Sequence, residues 1–274
     1  MPSSARPGCR IPLPTASGAA SVGLYLLLVC LVLALALNGA EAMGYNWQWY
    51  RVPEYLFAFT DDGFQWGEIA LGLGATLKLS LQSFVLALGL GAVVALLRMS
   101  NLVVGNAIAL AFLEIVRNLP LLILLYLFYY VLGPIFALDR YAAAVLCLGV
   151  YHAALVSEIL RAGVGSVDGG QLEAARSVGM SSAQAYRHIV LPQAMKFLLP
   201  PMTGEAAHLI KSSAIVSVIA VVEMTTVGRN IIADTYMSFE IWFTIAAVYL
   251  LVILVLSLAA ARMEQRYATA GRRK

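Results

Sequence analysis

The amino-acid sequence predicts an all-α, polytopic membrane protein. Of its 274 residues, 61% are hydrophobic and 12% are charged, with a mean hydropathy of +0.83. A soluble domain is about half apolar and a quarter charged. Several stretches match or exceed the roughly 20 apolar residues that a helix needs to cross a bilayer. The basic residues gather on one side of those stretches, as the positive-inside rule requires. These features exclude a soluble globular enzyme as the starting expectation, and equally a disordered or disulfide-built chain. Cys9, Cys30 and Cys147 lie far apart, with neither metal-ligand spacing nor a disulfide framework.

Spans are expected at 22–38, 69–97, 108–133, 141–163, 197–222 and 240–261. The first follows Arg6 and Arg10 and precedes Ala40-Glu41-Ala42, a sequence that also resembles a signal-peptidase site. It is therefore either a retained span or a cleaved signal sequence, and the orientation is the same in both cases. The outer segment that follows holds Trp47, Trp49, Tyr50, Tyr55 and Trp66, rings suited to anchoring at a membrane interface. Lys78 in the second span is expected to snorkel, and Asn118-Leu119-Pro120 to kink the third. With the N-terminus inside, one side carries Arg6, Arg10, Arg98, Arg161, Arg176, Arg187, Lys196, Arg262, Arg266, Arg272, Arg273 and Lys274. The other carries only Arg51, Arg140 and Arg229. Three regions result: 1–66 (tail, first span and outer segment), 67–262 (transmembrane domain) and 263–274 (basic cytoplasmic tail).

Most connections are short, but the cytoplasmic stretch 164–196 is not. Asp168 or Gly169 can start a helix with Leu172, Ala175 and Val178 near one face, and Gly179 ends it. Ser181 or Ser182 can cap a second short helix, and Pro192 is expected to interrupt the run into the next span. Ala174 and Ala175 are small enough to let another surface approach, with Glu173 and Arg176 as polar contacts at the rim.

The spacing Glu173-Ala174-Ala175, three residues, Gly179, nine residues, Ile189, one residue, Leu191-Pro192 resembles the EAA loop of ABC-importer permeases at every defined position. Glu114-Ile-Val-Arg117-Asn-Leu-Pro120-Leu, Ser157-Glu158-Ile-Leu-Arg161-Ala-Gly163-Val, Ser166-Val-Asp-Gly-Gly-Gln171 and His208-Leu-Ile-Lys211-Ser212-Ser213 look like the polar amino-acid branch of that family. The likeness covers about residues 67–262. It departs after Lys211, where the branch often has Asp-Thr-Ser-Leu and this chain has Ser-Ser-Ala-Ile. It departs also at Ser157, where Ala is usual. Both differences bear on the substrate rather than the family.

The resemblance implies a type I ABC-importer permease fold, with a five-span core plus one N-terminal span. It implies an inner-membrane location with a cytoplasmic C-terminus. Its implied partners are a cytoplasmic ATPase dimer, a periplasmic solute-binding protein and a second permease subunit, identical or related. The coupling residues would be Glu173, Ala174, Ala175, Gly179, Ile189, Leu191 and Pro192, and the solute a polar amino acid, glutamine- or glutamate-like first. The sequence lacks a Gly-x4-Gly-Lys-[Ser/Thr] phosphate loop, so ATP belongs to a separate chain and this one needs no cofactor.

Ionisable groups within spans are costly and face the protein interior. Glu114 and Arg117, then Glu158 and Arg161, sit at i,i+3 near the inner ends of their spans and can form one layer. That layer is either a packing network or an inner gate on the solute path. Glu205, His208 and Ser212 share a helical stripe with Lys211 at its edge, near the bilayer middle. They either meet the solute's ammonium and carboxylate or make helix–helix hydrogen bonds.

Three other readings fit the sequence less well. A membrane enzyme is disfavoured: His152, His188 and His208 show no His-Glu-x-x-His or Cys/His pattern, so no metal site is expected, and no Gly-x-Ser-x-Gly elbow is present. An ion-coupled secondary transporter of a small polar solute is the main alternative, though the hydropathy shows no clear inverted repeat. Nucleic-acid binding is not expected, because the basic residues flank membrane spans. Arg272-Arg273-Lys274 suit anionic lipid instead.

Overall fold

The computed structural model describes residues 16–60, 63–100 and 102–270. Cys9, the flanking Arg6 and Arg10, and the tail residues Arg272, Arg273 and Lys274 lie outside the described residues, as does the side chain of Arg266. The chain forms two compact units, residues 1–47 and 48–274. In the first, α1 (Ala16–Ala42) covers the expected first span.

The second unit opens with a 3-10 turn (Trp49–Arg51), α2 (Val52–Leu56) and an antiparallel hairpin of β1 (Phe57–Thr60) and β2 (Gly63–Trp66). The outer segment expected to end at 66 is therefore divided, with residues from Gln48 onward packing on the core. Val52 is buried with Ile69, Met224 and Ile241, and the Gln48 amide donates to Glu240 Oε1 at 2.6 Å. The hairpin is the one departure from an all-α architecture among the described residues. Its register pairs Phe57 with Trp66 and Phe59 with Phe64. Period-2 geometry puts all four rings on one face. They meet edge-to-face in a ladder, with Phe59–Phe64 centroids 5.6 Å apart and Phe64–Trp66 4.9 Å.

The core follows as α3 (Glu68–Met99), α4 (Val103–Asn118), α5 (Leu121–Tyr126), a π turn (Leu127–Leu132), α6 (Gly133–Phe136) and α7 (Arg140–Gly165). Then come α8 (Gly169–Ser177), α9 (Ser182–Ala185), a second π turn (Tyr186–Val190), α10 (Leu191–Ser212), a 3-10 segment (Ser213–Ile219), α11 (Met224–Thr235) and α12 (Ser238–Ala270). Among the described residues, α3, α7 and Ser238–Arg262 of α12 are each long and apolar enough to cross a membrane. Two bent pairs meet the same test, giving up to five spans.

The third expected span, 108–133, is corrected in form. α4 and the Leu121–Phe136 stretch meet at 107°, a break rather than a kink. Pro120 has no N–H to extend the helix, and it drives Leu119 into extended backbone (φ −90°, ψ 133°). Asn118 donates from its side chain to the Glu114 carbonyl at 2.7 Å, closing the last turn of α4. The expected interruption at Pro192 is corrected the other way. The chain stays helical from Ser182 to Ile219, and the π turn widens the ladder just before the proline, which occupies the first turn of α10.

α3 and α7 form the centre of the unit, around Leu79, Val94, Leu113, Leu125, Leu148 and Val216. α10 crosses α7 closely at Gly163, where a Cβ would meet the Leu198 side chain at 2.2 Å. This contact holds α7 against the helix that follows the loop and carries Glu205.

Candidate functional site

The loop between α7 and α10 is a compact helix–turn–helix. Asp168 caps α8 by accepting the Gly170 amide at 2.7 Å. The far end closes in a Schellman motif: Met180 N donates to Ala175 O at 3.1 Å and Gly179 N to Arg176 O at 3.0 Å. Gly179 sits at φ +81°, a left-handed conformation that a side chain would strain. Ser181 and Gln184 make a complete capping box at the start of α9. Gln193 on α10 donates to Gln171 Oε1 at 3.3 Å and so ties the loop to the long helix.

Exposure sorts the loop residues. Glu173, Ala174, Gly179, Leu191 and Pro192 are exposed, Ile189 is half-buried, and Ala175 packs inward. Val178 does not join Leu172 and Ala175 on the packed face as expected. It is 78% exposed, because the helix ends at Ser177 and the turn swings Val178 out. The outer surface of the loop is thus Glu173, Ala174 and Val178 beside the bend at Gly179.

The inner charge layer is built around Glu158. Its Oε1 bonds to Arg98 Nη1 and lies 3.9 Å from Arg117 Nη1, while Oε2 accepts from Arg161 Nη2 at 2.9 Å and Nε at 3.2 Å. Three guanidiniums from α3, α4 and α7 therefore share one carboxylate. Glu114 does not pair with Arg117 and instead accepts from Asn118 Nδ2 at 3.0 Å. Arg98 is absent from the expected layer, since its place at the end of α3 reads as a flanking basic residue.

Glu205, on α10, is 8% exposed. Its Oε1 lies 2.5 Å from Nδ1 of His152 on α7, and its Oε2 lies 3.5 Å from Nδ1 of His208. His152 is fully buried. Sequence reasoning missed it because it lies in an apolar helix 53 residues from its partner. Lys211 is exposed and makes no ion pair among the described residues. Lys78 is exposed and lines a cavity of about 360 Å³ with Arg140, Tyr141 and Ala220.

Two further buried acids, Glu223 and Glu240, are structural. Glu223 caps α11, accepting from the Thr225 and Thr226 amides at 2.8 and 2.7 Å, and its neighbour Met224 N donates to Thr76 Oγ1 on α3. Glu is not among the usual N-cap residues, so this cap carried no signal in the sequence.

The model of the family described as binding-protein-dependent transport system inner membrane component matches residues 87–269, more than half of the chain. The chain belongs to that family. This permease is 36% identical over 157 residues to the probable glutamine ABC transporter permease protein GlnM of Bacillus subtilis, covering 57% of this chain and 73% of that one. It is 35% identical over 193 residues to the nopaline transport system permease protein NocM of Agrobacterium fabrum, covering 66% and 80%. A crystal structure of an amino acid ABC transporter with histidines matches with TM-score 0.67 and 37% identity over 72% of this chain and 93% of that one. An inward-facing methionine transporter, MetNI, matches with TM-score 0.62 at 19% identity, over 73% of this chain and 96% of that one, and shows the fold alone. The permease is thus a membrane-located transport subunit of an ABC importer rather than a catalyst. Such subunits work with an ATPase and a solute-binding protein and generally need no cofactor of their own.

Proposed function

We propose that this permease forms, with a second permease subunit, the membrane path for a polar amino acid. Glutamine is the first candidate. Residues 164–196 would be a cytoplasmic handle held by one subunit of an ATPase dimer, and a periplasmic binding protein would deliver the solute. The supporting observation is the exposed Glu173-Ala174-Val178 surface on a helix closed at Gly179 and tied by Gln193 to α10. Relatives named as glutamine and nopaline permeases support the substrate class. In this reading, 1–66 is the N-terminal tail, first span and periplasmic segment, 67–262 the permease domain, and 263–274 a cytoplasmic basic tail that meets anionic lipid at the bilayer surface. ATP acts by favouring one conformation over the other, since equal affinity for both would move nothing.

Within the path, which Glu114 would also line, Lys211, Arg117 or the half-exposed His208 would donate to the solute carboxylate, and Glu205 or Glu158 would accept from its ammonium. Reconstituted uptake tests the whole reading. It should require ATP and an ATPase subunit and ignore proton or sodium gradients. Uptake that follows an ion gradient without ATP would establish the secondary-transporter alternative instead. A cysteine at Ala174 should cross-link to the ATPase, and a binding screen on the cognate periplasmic protein identifies the solute.

A further inference from the structure

We propose that His152, Glu205 and His208 bind a divalent transition-metal ion, Zn²⁺ being the best suited, between α7 and α10. One ligand atom from each residue lies within 4.8 Å of the other two. Two of the residues are one helical turn apart on α10 and the third is on α7, so the donors converge without any loop having to order. Two imidazoles and one carboxylate are a donor set that Zn²⁺ accepts with metal–ligand lengths of about 2.0–2.2 Å, leaving a fourth tetrahedral position open. Tetrahedral ligands then stand about 3.3 Å apart. The two imidazoles now face different oxygens of Glu205, His152 Nδ1 at 2.5 Å from Oε1 and His208 Nδ1 at 3.5 Å from Oε2.

His152 is fully buried and presents Nδ1 to Glu205, so for all three residues to be ligands the ion takes that nitrogen in exchange for the proton shared with the carboxylate. His208 is 45% exposed at its side chain and gives the ion a way in. Nitrogen-rich donors favour Zn²⁺, Co²⁺ and Ni²⁺ over Mg²⁺ and Ca²⁺.

The experiment uses the permease complex purified without a polyhistidine tag, stripped with chelator and titrated with Zn²⁺ by calorimetry and elemental analysis. One ion per permease chain is expected, unaffected by excess Mg²⁺. Co²⁺ in its place should give the visible absorption of a four-coordinate site. His208→Asn, at the half-exposed position, and Glu205→Gln should each weaken binding by at least the roughly 10- to 100-fold that loss of even an outer-shell partner costs. Zn²⁺ should also raise the melting temperature of the wild type and not of His208→Asn. Absence of stoichiometric binding overturns the proposal, as does binding of unchanged strength in either variant, which would move the ion to other side chains such as His188.

Discussion

Replacing Glu158 with glutamine keeps the side-chain volume and removes the single negative charge that Arg98, Arg117 and Arg161 share. The Arg161 contact is i,i+3 with a 44% exposed guanidinium, so it contributes only about 0.3–0.5 kcal/mol. Arg117 stands 3.9 Å away and is 53% exposed, so it adds a few tenths, on the order of a weak surface pair. Arg98 dominates. Its side chain is 17% exposed, against 28% for Glu158, which lies between a surface pair (about 0–1 kcal/mol) and a broken buried pair (about 3–5 kcal/mol). About 2 kcal/mol is a fair intermediate. The total, about 2–3 kcal/mol, corresponds to a fall of roughly 4–12 °C in melting temperature for a domain of this size. The assay is thermal unfolding of the complex in lipid nanodiscs, followed by tryptophan emission. A cycle with Arg98→Met isolates the dominant contact. If the two side chains act through each other, the double variant loses less than the two singles together. Strict additivity, or a Glu158→Gln protein that melts with the wild type, would refute the central place given to this carboxylate.

The coupling loop makes a sharper functional prediction. Gly179→Val forces a β-branched residue to φ +81°, at a cost of about 1–2 kcal/mol or more, and Glu173→Lys reverses the exposed charge; both should abolish reconstituted uptake while the separate binding protein keeps its affinity for solute. Retained uptake in either would count against the handle. Ser181→Ala removes the capping box, which costs about 1 kcal/mol locally and should slow uptake without ending it, as initial-rate measurements would report. The hairpin ladder should lie at the lipid interface. In a variant with Trp66 as its sole tryptophan, after replacement of Trp47, Trp49 and Trp242, brominated lipid should quench the emission, whereas unquenched emission would put the hairpin in water.

What the sequence made legible was local or periodic. The Asp168 and Ser181 caps and the break at Gly179 are each set by residues within a turn or two of one another, and each appears as expected. The hairpin was equally local: aromatics alternating at Phe57, Phe59, Phe64 and Trp66 on either side of Asp61-Asp62-Gly63 are a strand–turn–strand signal, masked by the overwhelming helical hydropathy around it. The proline effects were half legible. A missing N–H is certain from the residue type, but whether the chain breaks, as at Pro120, or absorbs the loss in a π turn, as before Pro192, depends on where the two helices can pack. The intramembrane clusters were legible only as members. Glu158 and Glu205 stood out because charge in a span is costly, yet their main partners, Arg98 and His152, come from other helices at separations of 60 and 53 residues.

Those partners give the site a mechanical reading that no one residue carries. From Ser182 to Ile219 the backbone is a single helical rod, with a π turn near its start and no break at Pro192, Pro200 or Pro201. Leu191, at the foot of the loop, and Glu205, in the membrane, stand on this rod about 21 Å apart at 1.5 Å per residue. In the proposed function, a displacement of the loop would pass along this helix to the Glu205–His152 contact, which with Gly163 against Leu198 is where α10 bears on α7. α7 in turn carries Glu158, the centre of the three-arginine layer. The loop, the His–Glu pair and the charge layer are therefore joined by two helices and one close crossing, the route that coupling would take in the proposed function. A change at any one station must either move both helices or be absorbed at that crossing.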